Sequence, residues 1–185
     1  MKDQYEQLLV KVEKPARYAG GELNTTVKPW DKVRLRVVLA FPDLYEIGLS
    51  HLGLRLLYQR INEVDGYLAE RVYAPAPDME EELKKANLPL FSLESRHGLG
   101  EFDLLGFTLQ YELSYTNILN MMRLAGIPLR REHRGEAHPL IIGGGPGCFN
   151  PEPLADFFDL FLLGEGEEAI LDILDCIAAG KERGD

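Results

Sequence analysis

The chain has 185 residues, 45% of them hydrophobic, which is enough for one domain of ordinary size with a full core. Its net charge is -10 and only Arg130, Arg131 and Arg134 cluster loosely among its basic residues, which argues against a nucleic-acid surface on this piece. The N-terminus MKDQYEQLLV has no signal-peptide core and no apolar run approaches the roughly 20 residues of a membrane span, so no membrane is expected and the location is read as cytoplasmic.

Residues 1–33 carry little periodicity, and Pro15, Gly20, Gly21 and Pro29 punctuate them as an extended arm strapped against the body. Leu35 to Phe41 is apolar and β-branched and stops at Pro42, the pattern of a first strand. Ser50 is placed to cap a helix whose apolar face is Leu52, Leu56, Leu57 and Ile61. A second strand spans roughly Leu68 to Ala74. Asp78 followed by Glu81 then opens a helix, which Lys84 and Lys85 close, read as a solvated surface helix. Leu90 to Leu93 offers a further short strand. Asp103 to Leu109 is the third core strand, and a helix follows from about Glu112 to Ala125, stopped by Gly126, with Met121 and Met122 as core filler. His133 and His138 fall in a polar loop.

The segment from 139 to 168 holds two strand-to-helix switches, both rich in glycine. Leu140 to Ile142 runs into Gly143, Gly144, Gly145 and Pro146, and Leu160 to Leu163 runs into Gly164, Glu165 and Gly166, each reading as a buried parallel strand that ends in a tight turn. Ala169, Ile170, Ile173, Leu174 and Ile177 then recur at helical spacing behind a first turn of carboxylates. The β–α alternation predicts an α/β fold: a single flavodoxin-like or Rossmann-like domain over 34–180, with a five-stranded, mainly parallel sheet in the order 2-1-3-4-5 and helices on both faces. Its ligand site is expected where strands 1 and 3 diverge.

The pattern GGGPxxxNPEPLADFFDxFLLGEGEE, together with KPARYAGGELN at 14–24, FPDLYEIGLSHLGLRLLY at 41–58 and FDLLGFTLQYELSYTNIL at 102–119, resembles the N-terminal domain of radical SAM proteins that carry a cobalamin-binding domain ahead of their catalytic barrel. The resemblance implies a Rossmann-like domain and cobalamin as its candidate cofactor. It also implies a radical SAM barrel of the same polypeptide as partner, with a four-iron four-sulfur cluster and S-adenosylmethionine. The chain has no CxxxCxxC motif and ends on the charged tail KERGD, so the barrel is expected beyond Asp185 and the piece is expected to have no turnover alone. Cys148 and Cys176 form no CxxC pair and fit a reducing compartment.

In cobalamin domains of the methionine-synthase type, a DxHxxG loop after the first strand supplies the lower ligand to cobalt. Asp43, Tyr45 and Gly48 fall on that pattern here, with Tyr45 in place of the histidine. A neutral phenol is a poor cobalt ligand, so cobalamin is expected to bind without a protein histidine on cobalt, Tyr45 covering its lower face. His51, inside the helix register, is a weak substitute. Thr108 matches the hydroxyl residue that holds the cofactor's tail, with Gln110 beside it. Gly143, Gly144 and Gly145 match the glycines that let the tail approach backbone. Gly164 and Gly166 end the last strand. GEGEE there offers an anion-binding helix start, or, with its three carboxylates, a self-capped one. Cys148 reads as a small loop residue.

Two readings stay open: a cobalamin-binding-like domain positioning cofactor or substrate over the barrel, and a vestigial fold without cofactor serving as a docking or substrate-guiding module. The lost histidine favours the second, and bulky Tyr45, Tyr111 or Phe149 between strands 1 and 3 would support it; the retained Asp43, Gly48 and triple glycine favour the first. A free-standing nucleotide- or flavin-binding protein is weaker, because no GxGxxG follows the first strand.

Overall fold

Five short runs of β-branched and apolar residues build the centre of the molecule: β1 (Leu35–Phe41), β2 (Tyr67–Tyr73), β3 (Leu104–Thr108), β4 (Leu140–Gly144) and β5 (Leu160–Leu162). A computed structural model describes residues 2–183 of the chain. Every neighbouring pair of strands is parallel and the order is β2-β1-β3-β4-β5, the doubly wound arrangement that the alternation predicts. The helices are α1 (Lys2–Leu9), α2 (Ala16–Ala19), α3 (Tyr45–Gly48), α4 (Leu52–Asn62), α5 (Pro77–Ala86), α6 (Tyr115–Leu124) and α7 (Gly166–Arg183).

Because side chains alternate across a strand, β1 feeds two cores at once. Val38 and Ala40 join Met79 and Leu83 of α5 and Ile118, Met121 and Met122 of α6 on one face. Val37, Leu39 and Phe41 join Leu54, Tyr58 and Ile61 of α4 and Ile170 and Leu174 of α7 on the other. Each such fully buried side chain stabilises the fold by roughly 1.5–3 kcal/mol relative to exposure.

The N-terminal arm is more structured than its sequence announces. Tyr5 and Leu8 of α1 are buried against the first core, and the Tyr5 hydroxyl donates to the Pro89 carbonyl at 3.1 Å. The helix is only eight residues long, too short to display a clear period. Farther on, the Asp78 carboxylate accepts from the Glu13 amide at 2.7 Å, so it tethers the arm instead of capping α5; Pro77 opens that helix at its first turn. Nor is α5 merely solvated, since Met79 and Leu83 are fully buried.

Three other expectations are corrected. His51, not Ser50, caps α4: its Nδ1 accepts from the Leu54 amide at 3.1 Å, while the Ser50 hydroxyl turns back to the Ile47 carbonyl. The buried face of α4 is Leu54, Tyr58 and Ile61, and Leu52 is 66% exposed. A run of leucines supports several helical phases, and Tyr58, the largest inward group, selects this one. Residues 90–93 form no strand of the sheet; they run beside β2, with the Leu93 amide on the Arg71 carbonyl and one bridge from Phe91 to Gly98, covering that edge. At the opposite edge β5 is only half buried, with Leu160 46% and Leu163 60% exposed, because no strand or helix covers its outer side among the described residues.

Candidate functional site at the carboxyl edge of the sheet

β1, β3 and β4 end side by side, and helices α4 and α7 cross the sheet face just behind those ends. Between them opens a crevice of about 220 Å³. Leu39 of β1 and Ile142 of β4 form its sheet wall, Leu54 and Leu57 of α4 and Ile170 of α7 its helix wall. Its rim carries the polar groups: His51, Thr108, Gln110, Glu165 and Glu167.

Glycine makes the room. A β-carbon on Gly144 would meet nothing within 4 Å, so the missing side chain is open crevice. Gly145, with φ of 106°, turns the chain out of β4, and a β-carbon there would lie 3.0 Å from the Leu109 carbonyl oxygen. That close approach is what lets the Leu109 carbonyl accept from the Gly147 amide at 2.8 Å and lock the β3 and β4 loops together. Gly164 and Gly166 carry the chain from β5 into α7 along the rim. Gly143 faces the other way: its β-carbon would press on Leu109, Phe161 and Phe158 at 3.0–3.3 Å, so it serves helix-side packing of the opposite core.

Thr108 and Gln110 come together, the Gln110 side-chain amide donating to the Thr108 hydroxyl at 2.8 Å. The residues of the first loop do not join them. Asp43 accepts from its neighbouring Leu44 amide and, at 2.7 Å, from the Tyr111 hydroxyl, bridging the loops after β1 and β3. That bond raises the Tyr111 phenol above its ordinary range. Gly48 packs under the rings of Tyr73 and Phe41, where any side chain would collide. The Tyr45 hydroxyl points away to Glu22 at 2.6 Å, and its ring meets Tyr73 edge to face. Burial, then the Glu22 bond, pushes its phenol far up.

Tyr45 instead lines a second, larger cleft of about 820 Å³ between residues 22–26 and α4. Glu22, Glu63 and Arg71 on its lining are paired within the chain, while Arg55 lies exposed at its edge. Arg71, 7% exposed at its side chain, reaches Glu94 at 2.7 Å and Glu22 at 2.8 Å, and its guanidinium lies over the Tyr58 ring. Cys148, in the turn after Gly145, is fully buried and burial pushes its thiol up to about 11, so it is no nucleophile there. Among the described residues no group of three or more histidine, cysteine or acidic side chains is arranged to hold a metal, and no helix is long and apolar enough to cross a membrane.

His51, read from the sequence only as a weak substitute ligand inside the helix register, sits instead at the cap of α4 on the crevice rim. Histidine is outside the usual set of helix caps, so only its position just ahead of the apolar run LGLRLLY marks it.

A family of radical SAM proteins, described by its N-terminal region, matches residues 53–185, most of the chain. The chain belongs to this family. An uncharacterized protein of Methanocaldococcus jannaschii is 24% identical over 147 residues, which is 78% of this chain and 27% of that relative. The match thus spans little more than a quarter of the relative's length. Thr108, Gln110 and the crevice glycines Gly144, Gly145, Gly164 and Gly166 lie within the family match, as does Gly143, whereas Asp43, Tyr45, Gly48 and His51 precede it.

Proposed function

We propose that this domain holds the nucleotide tail of a cobalamin in the crevice behind β1, β3 and β4, and presents the cofactor to a radical SAM barrel on the same polypeptide. The observation that carries the reading is the open space at Gly144, facing apolar walls beneath a polar rim. The crevice is ring-sized, too small for a corrin, so the macrocycle would lie over the mouth and only the tail would enter.

The residues present fit such a tail. Gly144 and Gly145 allow a flat ring to lie against backbone, Leu54, Leu57 and Ile170 exclude water from it, and the Thr108 hydroxyl, held by Gln110, offers a donor at the mouth. They do not fit a lower ligand to cobalt. Tyr45 is committed to Glu22, and His51 spends Nδ1 as the acceptor of the α4 cap; a ring bonded that way carries its proton on Nε2 and has no lone pair there for a metal. When bound, cobalamin would supply a transferable methyl group or a cobalt–carbon bond to the barrel's radical chemistry. The four-iron four-sulfur cluster and S-adenosylmethionine belong, on this reading, to that barrel, and the parent protein to a reducing compartment.

One observation favours the rival reading of a cofactor-free docking module: the Tyr111–Asp43 bond ties the loops after β1 and β3 across the switch point. Absorbance titration with hydroxocobalamin and methylcobalamin separates the two. The cofactor reading expects saturable binding with a base-off spectrum that Gly144→Phe abolishes; no binding at millimolar cobalamin would leave the docking module.

A further inference from the structure

Among the polar groups around the crevice, donors are scarce. Glu165 and Glu167 on the α7 side present carboxylates, and on the β3 side the Gln110 amide gives one N–H to the Thr108 hydroxyl, which keeps its own proton to donate. On the α4 side of the rim the donor is His51. Its Nδ1 is fixed as an acceptor by the Leu54 amide, so the neutral ring is the Nε2–H tautomer, and no hydrogen bond within the described chain uses that Nε2–H. The ring is also held in place: it sits at the fixed cap position and packs against Phe41, centroids 5.2 Å apart. A donor that is pre-oriented and without a partner within the described chain, on the rim of a mostly apolar crevice, is available to an acceptor on whatever ring enters.

Resting on the reading of the crevice as a tail site, we propose that His51 reads the base of that tail, its Nε2–H donating to the ring nitrogen which base-off binding frees from cobalt. A tail whose ring carries such a nitrogen satisfies both groups. A tail ending in a phenol ether leaves the donor unpaired, so His51 makes the site selective for benzimidazole- or purine-type bases.

The test uses His51→Asn, because asparagine is among the strongest helix caps and keeps the α4 start while removing the Nε2–H; its thermal midpoint should stay within a few degrees of wild type. Calorimetry compares cobalamin, whose tail ends in a benzimidazole, with p-cresolylcobamide, whose tail has no ring nitrogen. The expected result is a loss of about five- to tenfold in cobalamin affinity and no change for p-cresolylcobamide. Equal losses for both, or no loss for either, overturn the role of His51 while leaving the tail site standing. Failure of both cobamides to bind the wild-type protein overturns the tail site itself and the inference with it.

Discussion

The two hollows beside α4 differ in a way that separates a site from a hole. The cleft beside the N-terminal arm has nearly four times the volume of the crevice, yet its inner polar groups are spent on one another, Arg71 on Glu94 and Glu22, Tyr45 on Glu22, and of its charged groups only exposed Arg55 at its edge carries no partner among the described residues. The crevice is smaller and mostly apolar, but its glycines leave backbone uncovered and its rim keeps polar groups unspent. Buried groups that satisfy each other hold a fold together; groups left unsatisfied at the mouth of an apolar slot are what a ligand completes.

That contrast breaks most visibly at Arg71. Arg71→Leu leaves Glu94 and Glu22 without their cation, one of them in the interior, and should cost about 3–5 kcal/mol in urea unfolding with crevice binding intact in the folded fraction. A cost below about 1 kcal/mol would mean that the cleft is not held shut by this network. The next effect divides adjacent glycines. Gly144→Leu should fill the crevice and weaken cobalamin by at least about tenfold with little change in stability, whereas Gly143→Ala should lose about 1–3 kcal/mol by overpacking and keep its affinity. If both behave alike, the two faces of β4 do not have separate duties.

Smaller effects sharpen the same division. Tyr111→Phe removes one exposed hydrogen bond to Asp43 and should change stability by less than about 1 kcal/mol; a gain in cobalamin affinity would identify the bridge as a partial cover of the mouth. Thiol labelling at pH 8 should count one reactive cysteine in the native protein, exposed Cys176, and two after unfolding, because buried Cys148 stays protonated. Both cores should respond to base alike. Burial pushes Tyr5 and Tyr73, one on each face, up to about 12, above the ordinary tyrosine value near 10. The folded state therefore binds protons that the unfolded state loses first, so stability should hold to about pH 10 and fall from there towards pH 12.

The parallel sheet was legible because doubly buried strands write themselves as apolar runs, and the strand order followed from their alternation with helices. That Thr108, Gln110, Gly144 and Gly145 lie at the carboxyl edge was legible for the same reason, since topology places the end of a parallel strand before any side chain is considered, whereas their selection as tail-binding residues came from the resemblance. What failed depended on contacts far apart in sequence. Nothing near Tyr45 announces Glu22, nothing near Asp78 announces Glu13, and the choice of inward phase for α4 belongs to the sheet beneath it. The equal appearance of Gly143, Gly144 and Gly145 hid three duties, since one side of β4 is core and the other is crevice. The capping role of His51 was not legible because capping is a property of one dihedral and one amide, and histidine seldom fills it.

The most direct test of the tail site is calorimetry of cobalamin against cobinamide, which keeps the corrin and lacks the nucleotide tail. The crevice account predicts that cobinamide binds at least about tenfold more weakly and that Gly144→Leu brings cobalamin down to the cobinamide level. Equal affinities for the two, untouched by Gly144→Leu, would contradict it.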